Sequence, residues 1–296
     1  MERKIAIRGG VLTLSGGILW GFSGTCGQFL MQTKNLTSNW LVPYRLLLAG
    51  VILLLLCSLR KGADIFAVWN NDAPGILTFG IFGMSMCQYT YFTAISASNA
   101  GTATVLQYLG PVLILIYMSV QSRQLPKKHE TVAICLAVAG SFLLATHGHP
   151  GTMILSKEAL FWGLLSAVAL AVYTLQPVSL LHRYGSAVVT AWGMLTGGLL
   201  LCLIFRPWTI PAVVDGGAAA GMAAVIILGT VLAFSCYMEG VKCAGPKKAS
   251  LYASIEPVSA AVFSAVWMDA AFGVMDLLGF VCIISTVFLL AAEKEK

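Results

Sequence analysis

Charge is what this sequence is short of. Asp, Glu, Lys and Arg make up 10% of its 296 residues, against roughly a quarter in an average soluble protein. Long polar connections are missing too, so no soluble domain fits between the apolar runs. Histidine occurs four times; His147 and His149 flank Gly148 with no third partner at ligand spacing, which argues against a metal site. The eight cysteines (Cys26, Cys57, Cys87, Cys135, Cys202, Cys236, Cys243, Cys282) form no CxxC pair, which argues against a disulfide framework and suits small buried hydrophobes. A nucleophile elbow, HExxH, a Walker loop and a glycine-rich nucleotide fingerprint are all absent. The expectation is therefore a protein that is not an enzyme, carries no cofactor, and draws any energy it needs from a gradient.

Apolar residues fill the space that charge leaves. They make 58% of the chain, with mean hydropathy +0.85. A water-soluble fold of this length could not hide so much apolar surface, so lipid is the solvent and the bilayer the first partner. The net charge of +6 is spread between apolar runs and forms no stripe, so nucleic acid is not an expected partner. Apolar stretches of helix length cover residues 9–31, 38–59, 73–95, 99–120, 130–147, 158–181, 187–205, 217–240, 248–267 and 272–292. The expectation is an all-α integral membrane protein of ten transmembrane helices. The first run has no small-residue cleavage site and more spans follow it, so it reads as an uncleaved helix.

Cation placement tests that segmentation independently, because cytoplasmic connections carry an excess of Lys and Arg. With the N-terminus inside, fourteen cations fall on inner segments: Arg3, Lys4, Arg8, Arg60, Lys61, Arg123, Lys127, Lys128, Arg183, Lys242, Lys247, Lys248, Lys294 and Lys296. Three (Lys34, Lys157 and Arg206) fall outside, and Arg45 lies within a span. A helix gained or lost would scramble the alternation. Both termini are expected on the cytoplasmic side of an inner membrane.

The chain also repeats itself. A shift of 146 residues sets Tyr108-Leu109-Gly110-Pro111-Val112 on Ser254-Ile255-Glu256-Pro257-Val258, Gly83 on Gly229 and Tyr91 on Tyr237. Four more residues of offset bring Leu19-Trp20-Gly21-Phe22 onto Ala169-Leu170-Ala171-Val172. The expected units are residues 1–150 and 151–296. Five spans per unit is an odd number, so the second copy enters the membrane upside down, and carriers built this way bind solute near mid-bilayer between the repeats.

The motifs Leu19-Trp20-Gly21, Tyr44-Arg45-Leu46-Leu47-Leu48-Ala49-Gly50, Leu106-Gln107-Tyr108-Leu109-Gly110-Pro111-Val112 and Ser254-Ile255-Glu256-Pro257-Val258, in that order and spacing, resemble the EamA-type members of the drug/metabolite transporter superfamily across essentially the whole chain. The resemblance implies a five-plus-five inverted repeat around a central cavity, the fifth helix of each unit peripheral, and transport of a metabolite, often outward. Members commonly carry a Gly-Glu pair about twelve residues after each motif proline. This chain has Ser122-Arg123 and Met268-Asp269 there.

Ionisable groups at membrane depth cost several kcal/mol unless paired or hydrated, which makes each a functional candidate. Glu256 stands first, directly before Pro257. The ring of that proline frees carbonyls one turn back, as Pro111 does in the first unit, so both are expected helix-bending positions. Such a carboxylate suits a cation, a proton or a substrate ammonium; a protonated carboxyl holding helices together is the alternative. Arg45, Glu239 and Asp269 are expected at gates or in ion pairs, Arg45 to bind a substrate carboxylate, lock an outer gate or snorkel to the headgroups, and Glu239 to pair with Lys242. Trp20, Gln88, Tyr91, Gln107, Tyr108, Tyr173, Gln176, Tyr237 and Tyr252 supply aromatic and polar lining for a pocket, with interhelical packing as the alternative. The expected function is a secondary carrier for a small molecule, best an amino acid or related amphipathic metabolite, exported by alternating access. Proton-coupled import of a cationic metabolite, an intramembrane enzyme and a non-transporting structural membrane protein are the rivals, and association as a homodimer stays open.

Overall fold

A computed structural model describes residues 2–59, 64–149, 153–244, 249 and 252–291. Of the cations counted above, Arg60, Lys61, Lys247, Lys248, Lys294 and Lys296 lie outside the described residues, as do the side chains of Arg3, Lys4 and Lys242. The expected start of the ninth span at Lys248 and the last residue of the tenth, Ala292, lie outside them too.

Every regular element among the described residues is helical. Helix α1 (Glu2–Gln28) runs into a π-helical stretch, Phe29–Thr33, and α2 (Ser38–Ser58) follows. Helix α3 (Ala67–Thr78) is kinked at Asp72, φ −138° and ψ 35°, and its later part continues through a second π-helical stretch at Phe79–Ser85 into α4 (Met86–Ala97). Then come α5 (Ala100–Gln107), α6 (Gly110–Ser122), α7 (Lys128–Thr146), α8 (Lys157–Leu175), α9 (Val178–Tyr184) and α10 (Ser186–Phe205). Helix α11 (Gly216–Ala223) continues through a π-helical stretch, Ala224–Leu232, into α12 (Ala233–Ala244), and α13 (Glu256–Trp267) and α14 (Val274–Ala291) complete the chain.

Local chemistry sets the boundaries. Asn99, Ser156 and Asp215 cap α5, α8 and α11, their side-chain oxygens accepting the N–H of Thr102 (2.8 Å), Ala159 (3.1 Å) and Ala218 (2.8 Å). Pro111 and Pro257 occupy the first turns of α6 and α13, where a missing N–H leaves no intrahelical bond unmade. The chain breaks just before each, at Tyr108 and Leu109 and at Ser254 and Ile255. At each of these expected bends a short turn departs from regular α-helix, and the path continues beyond it, Ala100–Ser122 running as one apolar stretch across Pro111. A third interruption, at Gln176 and Pro177, divides what the sequence reads as one continuous span over residues 158–181.

Among the described residues, six helical stretches are long and apolar enough to cross a bilayer: Ser38–Ser58, Ala100–Ser122, Lys128–Thr146, Lys157–Leu175, Ser186–Phe205 and Gly216–Val241. The outside of the bundle is correspondingly apolar, with Leu203 and Val266 exposed by 71% and 79%. In water such a surface would aggregate; against lipid tails it is the ordinary condition.

Inside, helices approach almost to backbone contact. Where α2 crosses α10, a Cβ on Gly50 would lie 2.8 Å from Leu195 N, and one on Gly198 2.8 Å from Leu47 N. Helix α1 packs against both α12 and α13, and α8 packs against α4 and the α5–α6 pair. Helices α7 and α14 pair with each other on a separate small core that includes Ala137, Leu144, Phe280 and Ile283.

An ion pair closes each end of this bundle. Beside the start of α2, Lys34 Nζ lies 2.7 Å from Asp215 Oδ2. Beyond its other end, Arg183 Nη1 donates to Asp72 Oδ2 at 3.0 Å, and the Tyr184 hydroxyl donates to the same oxygen. The Tyr184 hydrogen bond first, and Arg183 after it, hold the Asp72 carboxyl below the usual carboxylate range. Lys34 and the Ala218 N–H do the same for Asp215. Lowered carboxyls of this kind favour the closed form above the ordinary value near ~3.9, and that preference is lost as pH falls through the depressed values. Both clasps are therefore expected intact at neutral pH and to weaken in acid, as pH falls from about 3.9 through the depressed values. An infrared carboxylate band that survives at pH 2 in the parent and is lost in Asp72→Asn would contradict this.

Candidate functional site

Between α1, α2, α4, α5, α8, α12 and α13 lies a cavity of about 170 Å³. Its apolar wall is Trp20, Tyr91, Phe92, Leu170, Tyr173 and Phe234; Ser23, Arg45, Cys87, Gln88, Gln107 and Glu256 supply the polar groups.

Arg45 is the one cation in that wall, and it is buried, with 7% of its surface exposed. Its Nη1 donates to Gln88 Oε1 at 2.6 Å, and Nη2 donates to Thr230 Oγ1 at 3.4 Å. The guanidinium carbon stands 4.5 Å from the centre of the Phe92 ring, a cation–π contact. Nε has no hydrogen-bond partner among the described residues, and neither has Ser23 Oγ. No carboxylate of the described residues comes within ion-pair distance of this guanidinium.

Glu256, the first residue of α13, is the one carboxylate in the wall. Its Oε2 accepts from the Tyr108 hydroxyl at 3.0 Å, and that hydroxyl also lies 3.4 Å from Ala253 O, a carbonyl just before the Pro257 interruption. The other oxygen of Glu256 takes no hydrogen bond from the described residues. Tyr91 and Thr104 share a hydroxyl–hydroxyl bond of 2.7 Å, and Gln107 Nε2 lies 3.8 Å from Cys87 Sγ. The result is a small, mostly aromatic chamber holding one positive and one negative group that touch only neutral partners. In surroundings this apolar, both attract an opposite charge strongly.

The sequence candidates divide accordingly. Glu256, Gln107, Trp20, Gln88, Tyr91 and Tyr173 meet in the wall, and Tyr108 joins them through Glu256. Tyr237 stands behind Trp20, ring centres 5.2 Å apart. Tyr252 lies against Gly10 near the start of α1. Gln176 donates to Gly75 O at 3.2 Å and faces a different hollow with Leu113 and Tyr117. Arg45, expected to bind a substrate carboxylate, lock an outer gate or turn toward the headgroups, lines the central chamber, where α2 packs against α4 and the π-helical stretch Ala224–Leu232. Glu239 borders a separate hollow of about 220 Å³ with Leu53, Ser186 and Met238; its expected partner Lys242 has a side chain outside the described residues. Asp269 lies past the end of α13 in a left-handed conformation, φ 51°, and makes no ion pair among the described residues. Phe92, Leu170 and Phe234 escaped the sequence reading because nothing separates them from packing residues. The 146-residue shift does carry a signal, since it sets Gln88 on Phe234.

Comparison with known proteins agrees with this architecture. The profile of the EamA-like transporter family matches residues 7–146 and again 157–292. The uncharacterized inner membrane transporter YicL of Salmonella typhimurium is 36% identical over 291 residues, covering 98% of this chain and 97% of its own. The uncharacterized transporter YetK of Bacillus subtilis is 27% identical over 269 residues, covering 85% and 78%. A solved crystal structure superposes with TM-score 0.65 at 16% identity over 95% of this chain and 96% of its own, a likeness of fold. The chain belongs to the EamA-like transporter family and is a multi-pass membrane transporter.

Proposed function

We propose that this protein is a secondary carrier of the inner membrane that moves a small metabolite, best an amino acid or related amphipathic solute, outward by alternating access. The observation that carries the reading is the central chamber, where a buried guanidinium and a carboxylate face one solute-sized space. Its framework is ten helices in two inverted units, residues 1–150 and 151–296, with both termini cytoplasmic.

Internal equivalence supports the inversion. The shifts read from the sequence relate Trp20 to Leu170, Ser23 to Tyr173 and Gln88 to Phe234, and all six line the chamber. The π-helical stretches Phe79–Ser85 and Ala224–Leu232 fall at equivalent places. Arg123 and Asp269, which the 146-residue shift superposes, share a left-handed backbone at φ 54° and 51°. The packing of α1 on α12 and α13 has its counterpart in α8 on α4 and α5–α6. The clasps follow suit: Lys34–Asp215 and Arg183–Asp72 join equivalent connections at opposite ends. One clasp must open for each access state, so each acts as a latch on its own side. The name of YicL supports the inner membrane as the location. The unbonded oxygen of Glu256 favours proton coupling, or a cationic solute taken up, as the second reading.

Proteoliposomes carrying the parent and Glu256→Gln, given an imposed pH gradient and a panel of labelled amino acids, amines and nucleosides, test the function. The parent is expected to accumulate at least one solute and the variant at least about tenfold less, the usual cost of one charge-assisted contact. Equal accumulation and equal pH dependence would remove Glu256 from the mechanism. For topology, single cysteines at Lys127 and Arg183 in a cysteine-free background should label from one face of the membrane and cysteines at Lys34 and Asp215 from the other; any other division defeats the inverted framework.

A further inference from the structure

We propose that the chamber recognises its solute as a zwitterion, Arg45 taking a carboxylate and Glu256 an ammonium group of one molecule. This deepens the carrier reading above and rests on it.

Three observations carry the assignment. The chamber contains one group of each sign, and they do not neutralise each other: neither has an ion-pair partner among the described residues. Two opposite charges left apart in an apolar wall are costly unless something arrives to match both. Each also keeps unused bonding capacity. Arg45 spends Nη1 and Nη2 on neutral oxygens of Gln88 and Thr230 while Nε, fully buried, has no partner. Glu256 spends one oxygen on Tyr108 and leaves the other unbonded. Finally, the two arise from different elements, α2 and α13, so a molecule that engages both ties those elements together.

A solute with only an ammonium group would satisfy Glu256 and leave the guanidinium facing it unmatched. One with only a carboxylate would do the reverse. A neutral solute would leave both. The rest of the wall, with Trp20, Phe92, Leu170 and Phe234, offers apolar and aromatic faces, which suit an uncharged hydrocarbon or aromatic side chain. The ligand class is therefore a small amphipathic amino acid, and the cationic-metabolite alternative is disfavoured by the neighbouring Arg45.

The test is counterflow in proteoliposomes with a matched trio of probes: phenylalanine, its decarboxylated amine phenethylamine, and its deaminated acid 3-phenylpropionate, with leucine, isoamylamine and 4-methylpentanoate as a second trio. The parent is expected to exchange the amino acid at least about tenfold faster than either partial analogue, because a site built to bond a polar group rejects ligands lacking it. Arg45→Gln should lose that preference over the amine, and Glu256→Gln its preference over the acid. This crossed pattern is one that a general loss of folding cannot produce, and size-exclusion profiles of both variants check folding directly. An amine exchanged by the parent as fast as its amino acid overturns the zwitterion assignment and leaves the carrier reading standing. Exchange of none of the probes, by a parent that does move other solutes in the panel, likewise overturns the assignment alone. Exchange of nothing at all overturns both.

Discussion

Arg45→Lys is expected to fold normally and to exchange solute about tenfold more slowly than the parent, and Arg45→Leu at least about a hundredfold more slowly. The guanidinium here performs three tasks at once: it donates to Gln88 at 2.6 Å, donates to Thr230 at 3.4 Å, and stacks 4.5 Å from the Phe92 ring centre. A planar fork can do all three at once; an ammonium is a point donor and must give up at least one. A hydrogen bond to a charged group contributes about 1.5–3 kcal/mol, which corresponds to roughly 10- to 150-fold. Leucine removes the charge altogether and leaves Gln88 Oε1 buried without its donor, so its effect lies at or beyond the upper limit. Initial rates in proteoliposomes, normalised to correctly sized protein, give the comparison. Parent-like rates in Arg45→Leu would show that this guanidinium serves only to hold α2 against α4.

The second large effect concerns Gly21. A Cβ at this position would lie 2.7 Å from Ala260 N and 2.8 Å from Glu256 O, both backbone atoms at the start of α13. Backbone cannot rotate aside as a flexible side chain can, so α1 and α13 must separate. Overpacking of this sort costs about 1–3 kcal/mol, and in this place it also displaces Glu256. Gly21→Ala should lower thermal stability by about 2–4 °C for each kcal/mol and reduce transport more than that loss of stability explains. Gly21→Val should abolish transport. Gly216, also helical, has no atom within 4 Å of an added Cβ, and Gly216→Ala is the control expected to match the parent. Fluorescence-detected thermal melts in detergent measure the first effect and counterflow the second. A Gly21→Ala protein as stable and active as Gly216→Ala would contradict the close approach.

Several helices could be placed from the sequence with small error. The run read over residues 38–59 folds as Ser38–Ser58, and that over 187–205 as Ser186–Phe205. Polar breaks in an otherwise apolar chain mark helix ends in lipid almost without competition. The site was legible for a related reason: a charge within a span demands a partner, so Glu256 and Arg45 stand out whatever the fold. What could not be read is which way each helix faces. In a soluble helix the polar stripe points outward and reveals the inner face, but here lipid and core are equally apolar and no stripe exists. That is why Tyr252, Gln176 and Tyr237 looked like Tyr91 and Tyr173, and why Phe234 looked like lipid-facing packing. The interruption at Gln176 and Pro177 had a local signal in the proline itself, whereas nothing in the local sequence marks the π-helical stretches.

Those π-helical stretches bear on how the chamber changes shape. Phe79–Ser85 ends three residues before Gln88, and Ala224–Leu232 ends two before Phe234. A widened turn stores one surplus residue in the spiral. If that slack is taken up by rewinding to the tighter pitch, everything downstream swivels by about 100° around its own axis. For α4 this would swing the amide away from Arg45 without any hinge in the chain, and for α12 it would carry a phenyl ring across the mouth of the chamber. Because the two stretches sit at equivalent places, such a rewinding would change the lining from both units at once and would turn exposed Met86 along with it.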